Sequence, residues 1–96
     1  MQVLIQKISL KSGVKPDEFE KWVHEHLYPR IRKLRGLKEY YVTRASNLER
    51  TYFEVSHIEN LDSILASSQG PDHSKLVKEV MQRADVSAVL AGDILA

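Results

Sequence analysis

Two histidines fall on positions that helical spacing would bury. Counting from Phe19 in steps of three and four gives Trp22, Val23, His26, Leu27, Arg30, Ile31 and Leu34, so His26 and Arg30 interrupt the middle of an apolar stripe. His73 opens a second series, His73, Leu76, Val77, Val80, Met81 and Ala84, and so points toward the core from the first turn of a helix. An imidazole titrates near neutral pH, and either ring could act as a general base or orient a polar group of a ligand. At a helix N-terminus the macrodipole disfavours the imidazolium, which would keep His73 neutral and able to accept a proton. The structural alternatives are a satisfied core histidine at 26, an Arg30 carried to the surface by the neighbouring Pro29, and a His73 bonded to nearby backbone or water.

Glu54, flanked by Tyr52 and Phe53, is the third candidate acid or base. If it faces a cavity, burial raises its pKa toward the working range of a proton shuttle. Otherwise it forms a cross-strand ion pair with Arg44 or Lys38, at a subunit interface if one lies there. In extended chain, Tyr40, Val42 and Arg44 share one face, as do Tyr52, Glu54 and Ser56. Trp22, Arg30, Tyr41, Arg44 and Tyr52 are the candidate substrate-binding residues, with Trp22 in the pocket wall. His24 lies two residues from His26 and points elsewhere on a helix, His57 has no evident partner, and cysteine is absent, so no three-ligand metal set can be read. No Gly-rich phosphate loop, Gly-x-Ser-x-Gly elbow or dinucleotide fingerprint occurs, and no cofactor is expected.

These residues need elements to position them. Val3 to Leu10 is dense in branched aliphatic residues and runs into Lys11-Ser12-Gly13, which reads as a strand followed by a turn. Pro16 suits a first helical position and Asp17 and Glu18 suit the first turn, so a helix starts there and should bend or break near Tyr28-Pro29. Leu37 to Arg44 and Thr51 to Ile58 read as a hairpin joined by Ala45 to Arg50. Asn60 is a candidate N-cap for a short helix to about Ala66; Ser67-Ser68-Gln69-Gly70-Pro71 interrupts it. A further helix runs from Asp72 to about Ala84, and Val86 to Leu95 closes the chain as a strand. The order is βαββαβ with the second helical segment in two pieces, an α+β ferredoxin-like domain spanning residues 1–96 with a four-stranded antiparallel sheet and helices on one face.

Composition narrows the partners. Fourteen basic and thirteen acidic residues give a net charge of +1 with the signs interleaved, which argues against nucleic acid. The apolar runs are too short to span a membrane, and the first residues read as a strand and not as a signal peptide, so a cytoplasmic location is expected. Helices on one face of a four-stranded sheet leave the other face open. Strand one nevertheless offers Val3 and Ile5 on one side and Leu4, Ile8 and Leu10 on the other, and strand three offers Phe53 and Val55 against Tyr52 and Ile58. An open apolar sheet face points to a homodimer of apposed sheets.

On the strand Val3-Leu4-Ile5-Gln6-Lys7-Ile8, the Gly13 to Val23 approach and helix start, and the strand Phe53-Glu54-Val55, the chain resembles the dimeric α+β barrel superfamily over its whole length. Within it the chain is most similar to the RedY-like and HapK-like proteins, which are associated with prodiginine (tripyrrole pigment) biosynthesis. The resemblance implies a homodimer with a ligand between the sheet and the helices, and a role in secondary metabolism on a small, pyrrole-like aromatic intermediate. It leaves three activities open: a tailoring or condensation-assisting enzyme using His26 or His73, a cofactor-free monooxygenase, and a non-enzymatic carrier or accessory subunit.

Overall fold

The computed structural model describes residues 1–95. Its elements are β1 (Gln2–Leu10), α1 (Pro16–Trp22), a π-helical turn (Val23–Leu27), α2 (Tyr28–Ile31), β2 (Leu37–Arg44), β3 (Thr51–Ile58), α3 (Leu61–Ser67), α4 (Pro71–Arg83) and β4 (Ala84–Asp93). The strands form one antiparallel sheet in the order β2-β3-β1-β4, which is the ferredoxin-like α+β topology. The last strand starts two residues earlier than its β-branched run suggests, because the α4 helix ends abruptly with Ala84 already extended.

Local chemistry explains the boundaries. Pro16 and Pro71 occupy first-turn positions where their missing N–H has no helical partner to lose. The Asn60 Oδ1 accepts a hydrogen bond from the Ser63 N–H at 2.8 Å and so starts α3. Gly36 closes the loop into β2 with φ of +89°, a left-handed conformation that would strain any side chain.

The first helical stretch does not break at Pro29. A proline at 29 removes the donor that the Glu25 carbonyl would use in an α-helix, and its ring crowds that carbonyl. The chain relieves this one turn earlier, where the Tyr28 N–H reaches back five residues to the Val23 carbonyl. Each residue of such a wide turn advances through a smaller angle than in an α-helix. Leu27 keeps its place on the buried face, at 1% exposure.

All the helices pack on the sheet face that carries Ile8, Tyr40, Tyr52 and Ile58, which together with Phe19, Leu27 and Leu76 form the interior. The opposite face presents Val3, Ile5, Phe53 and Val55 at its middle, with the more exposed Tyr41 and Leu90 at its margins. An extra residue in β4, Val89, interrupts the pairing with Ile5 and Gln6 of β1.

Candidate active site

The helices do not seal the sheet completely. Between the sheet and the group α2, α3 and α4 lies a cavity of about 400 Å³, within the size range of small-molecule sites. Its walls are Leu27 and Ile31 from the first helical stretch, Ile64 and Leu65 from α3, and Leu76 and Val80 from α4. The sheet supplies a floor with polar groups on it: Gln6, Tyr40, Glu54 and Ser56.

Glu54 sits at the centre of that floor. Its register partners are Gln6 on β1 and Val42 on β2, and Tyr40 lies two pairs further along on the same face, opposite Ser56. The Tyr40 hydroxyl donates a hydrogen bond to the Glu54 Oε2. Tyr40 is itself fixed: it is 4% exposed, and the Tyr28 ring meets it edge to face at 6.0 Å. The Tyr28 hydroxyl in turn accepts the Val42 N–H at 3.0 Å, which ties the helix to the edge strand.

Burial pushes the Glu54 carboxyl above the usual carboxylate range, and the hydrogen bond from Tyr40 opposes that only in part. Burial and the adjacent carboxylate push the Tyr40 phenol far above its ordinary value, so it stays protonated as a donor. Neither of the ion pairs anticipated for Glu54 forms: Arg44 is bound to Glu20, and Lys38 is bound to Glu59 at 2.6 Å. Among the described residues Tyr40 is the one group that hydrogen-bonds the Glu54 side chain, and it takes Oε2, so Oε1 remains for a ligand.

His73 also lines the cavity, at its rim in the first turn of α4, where burial lowers its pKa and favours the neutral ring. The remaining candidates lie elsewhere. His26 is exposed, because the wide turn over Val23–Leu27 rotates it off the face where regular helical spacing would bury it. Arg30 is half-buried beside the cavity and pairs with Glu79 of α4 at 2.5 Å. Trp22 is buried outside the cavity, against Phe19 and under the Arg83 guanidinium, whose carbon is 4.5 Å from the ring centroid. Tyr41 lies on the open sheet face beside His57. Arg44 and Tyr52 converge on Glu20, with the Tyr52 hydroxyl donating to the Glu20 Oε2 at 2.7 Å. Among the described residues, no three histidine, aspartate or glutamate side chains gather to hold a metal.

The family model for the REDY-like protein HapK matches residues 2–95. The chain belongs to the HapK family. The crystal structure of HapK from Hahella chejuensis is 30% identical and superposes with a TM-score of 0.88 over 99% of this chain and 93% of that one. SnoaB from Streptomyces nogalater, a cofactor-independent oxygenase, matches at 10% identity and a TM-score of 0.80, covering 99% of this chain and 93% of its own. At3g17210 from Arabidopsis thaliana gives 15% identity and the same TM-score of 0.80, over 100% and 97% of the two chains. At these identities the last two show a shared fold. Among curated proteins, none matches by sequence.

Gln6 and Tyr40 are polar members of this HapK-family cavity that are not among the candidate residues expected from the sequence. Alternation puts Tyr40 on one face with Val42 and Arg44, but which sheet face this is and what it pairs with stay open in the sequence, because the six-residue connection Ala45 to Arg50 does not fix the cross-strand register.

Proposed function

We propose that this HapK-family protein is a homodimeric enzyme of secondary metabolism that holds a flat, pyrrole-like aromatic intermediate in the cavity and moves a proton on it through Glu54. Support comes from the placement of Glu54: a carboxyl at the floor of an apolar cavity, hydrogen-bonded by a fixed phenol and paired with no cation among the described residues. Burial favours its protonated form and the Tyr40 hydroxyl favours its ionised form, so the two forms lie close enough in free energy for a proton to come and go. The ionised carboxyl accepts a proton from an N–H or activated C–H of the ligand at Oε1. The protonated carboxyl then returns it to a different atom, which is the acid–base work of a condensation or tautomerisation. His73 at the rim orients the ligand as a neutral donor or acceptor. The apolar walls supply the burial that holds an aromatic body.

The homodimer rests on the open sheet face, where Val3, Ile5, Phe53 and Val55 form an apolar centre that a second copy would cover. Sedimentation at micromolar concentration should give about twice the monomer mass; a monomer would remove this part of the proposal.

Glu54→Gln keeps the shape and a hydrogen-bonding partner for Tyr40 but cannot take up a proton. Introduced into a deletion strain, it should fail to restore the wild-type metabolite profile, with turnover lower by about 10²-fold or more. Calorimetry on the same variant should still detect binding of an indole or pyrrole ligand. Full restoration by Glu54→Gln would exclude proton transfer at this carboxyl and leave a binding role for the cavity.

A further inference from the structure

A second, open groove adjoins the cavity, and the two share Leu34, His73 and Leu76 as lining. The groove differs from the cavity in charge. Arg30 and Lys33 come to it from α2 and the turn after it, Arg35 from the loop before β2, and Lys75 from the first turns of α4. The acid that lines it is Asp72, while Glu79 is committed to Arg30. Among the described residues, Lys33, Arg35 and Lys75 have no carboxylate within ion-pair distance. A chain with a net charge of +1 and interleaved signs thus gathers four cations, of which Arg30 alone is paired among the described residues, in a groove beside its apolar cavity.

We infer that the ligand is an amphipathic anion, with an aromatic or acyl body in the cavity and a carboxylate or phosphate held in the basic groove by Lys33 and Lys75. This rests on the reading of the cavity as the ligand site. Exposed ammonium groups add little as isolated ion pairs, but several of one sign beside a low-dielectric wall focus potential on an anion anchored nearby. Anchoring by the apolar body removes most of the freedom that a lone anion would lose on binding, so the basic groove acts on an already positioned group. The arrangement also sets a direction. A ligand whose anionic end is held beyond His73 presents its apolar body to Glu54, on the cavity floor.

A matched pair of dyes tests this on the purified full chain. 1-Anilinonaphthalene-8-sulfonate and N-phenyl-1-naphthylamine share one aromatic body and differ by the anionic group, and both brighten when that body leaves water. The double variant Lys33→Glu/Lys75→Glu, at two exposed positions, should weaken the anionic dye about tenfold, or about 1.4 kcal/mol, and leave the neutral dye unchanged. Lys33→Arg/Lys75→Arg should bind both dyes as the wild type does. Raising salt from low concentration to about 1 M, where the Debye length is about 3 Å, should likewise weaken only the anionic dye. A blocking variant, Val80→Trp, should abolish both signals; anionic-dye fluorescence that survives it comes from outside the cavity and overturns the inference. Equal effects of charge reversal on the two dyes, or none, would also overturn it while the cavity reading stands. If neither dye binds the wild type, the cavity reading itself falls.

Discussion

Two tyrosine–glutamate pairs lie on the helix-facing side of the same sheet, and they have opposite electrostatic characters. Tyr40 donates to Glu54 on the floor of the cavity, and Tyr52 donates to Glu20 at the other end of the hairpin. At Glu20, the Arg44 guanidinium and the Tyr52 hydroxyl hold the carboxyl below its ordinary range, and the Tyr52 phenol is pushed up to about 12. At Glu54, with no such cation, burial carries the carboxyl upward instead. Identical side-chain types therefore favour the ionised carboxyl in one place and the protonated one in the other. The difference lies in one guanidinium and the exclusion of water, the two environmental factors that most often separate structural carboxylates from catalytic ones.

The comparison is sharpest in turnover. Where Glu54→Gln should remove about 10²-fold of the activity, Glu20→Gln should change it by no more than about twofold, as expected for a half-exposed position remote from the cavity. A loss of equal size in both variants, measured per folded chain, would erase the distinction between the pairs.

Stability against pH should separate them next. The folded pKa of Glu54 lies above its ordinary value of 4.5, so the folded state binds the proton more tightly than the unfolded state does. The wild type accordingly loses stability as pH rises from that value to the raised one, and Glu54→Gln does not share the loss. For Glu20 the sign reverses. Its folded pKa lies below 4.5, so its stabilisation is present above that value and is lost as pH falls through the lowered one. Thermal melts of the two variants and the wild type between acid and neutral pH should show differences that open in opposite directions.

A smaller effect concerns the reporter tryptophan. Trp22 lies outside the cavity, next to Arg83 and the exposed His26, so its fluorescence should barely respond to an indole-like or pyrrole-like ligand. A tryptophan placed at Leu65 in a Trp22→Phe background, on the cavity wall, should respond clearly to the same ligand. The reverse pattern would move the site to the Trp22 end of the first helix.

Much of this arrangement was legible from residue types. Alternation and turn signals gave the strands, the hairpin and the order of elements, since each strand has a distinct apolar face and each turn its own Gly, Pro or Asn. That Glu54 shares a face with Tyr52 and Ser56 followed from the same alternation, but which side of the sheet that face takes did not. What spacing could not convey was the phase of the first helix: Pro29 is visible in the sequence, but the wide turn that relieves it begins at Val23, and it turns His26 outward while Leu27 keeps its place on the buried face. The partner of Glu54 depended on cross-strand register, which the six-residue connection between β2 and β3 leaves open in the sequence. Trp22 was placed in the pocket by its size and apolar setting. The cavity lies instead where α3 and α4 stand away from the sheet, and a helix's distance from a sheet is not written in its periodicity.

The central claim is that the two glutamates titrate on opposite sides of the ordinary carboxylate range. Carbon-13 NMR of the side-chain carboxyls, with Glu54 and Glu20 assigned through Glu54→Gln and Glu20→Gln, measures both in one titration. Glu54 should titrate above the exposed glutamates and Glu20 below them, and the Glu54 midpoint should shift when an aromatic ligand occupies the cavity. A Glu54 that titrates with or below Glu20, and is unmoved by a bound ligand, would contradict the account.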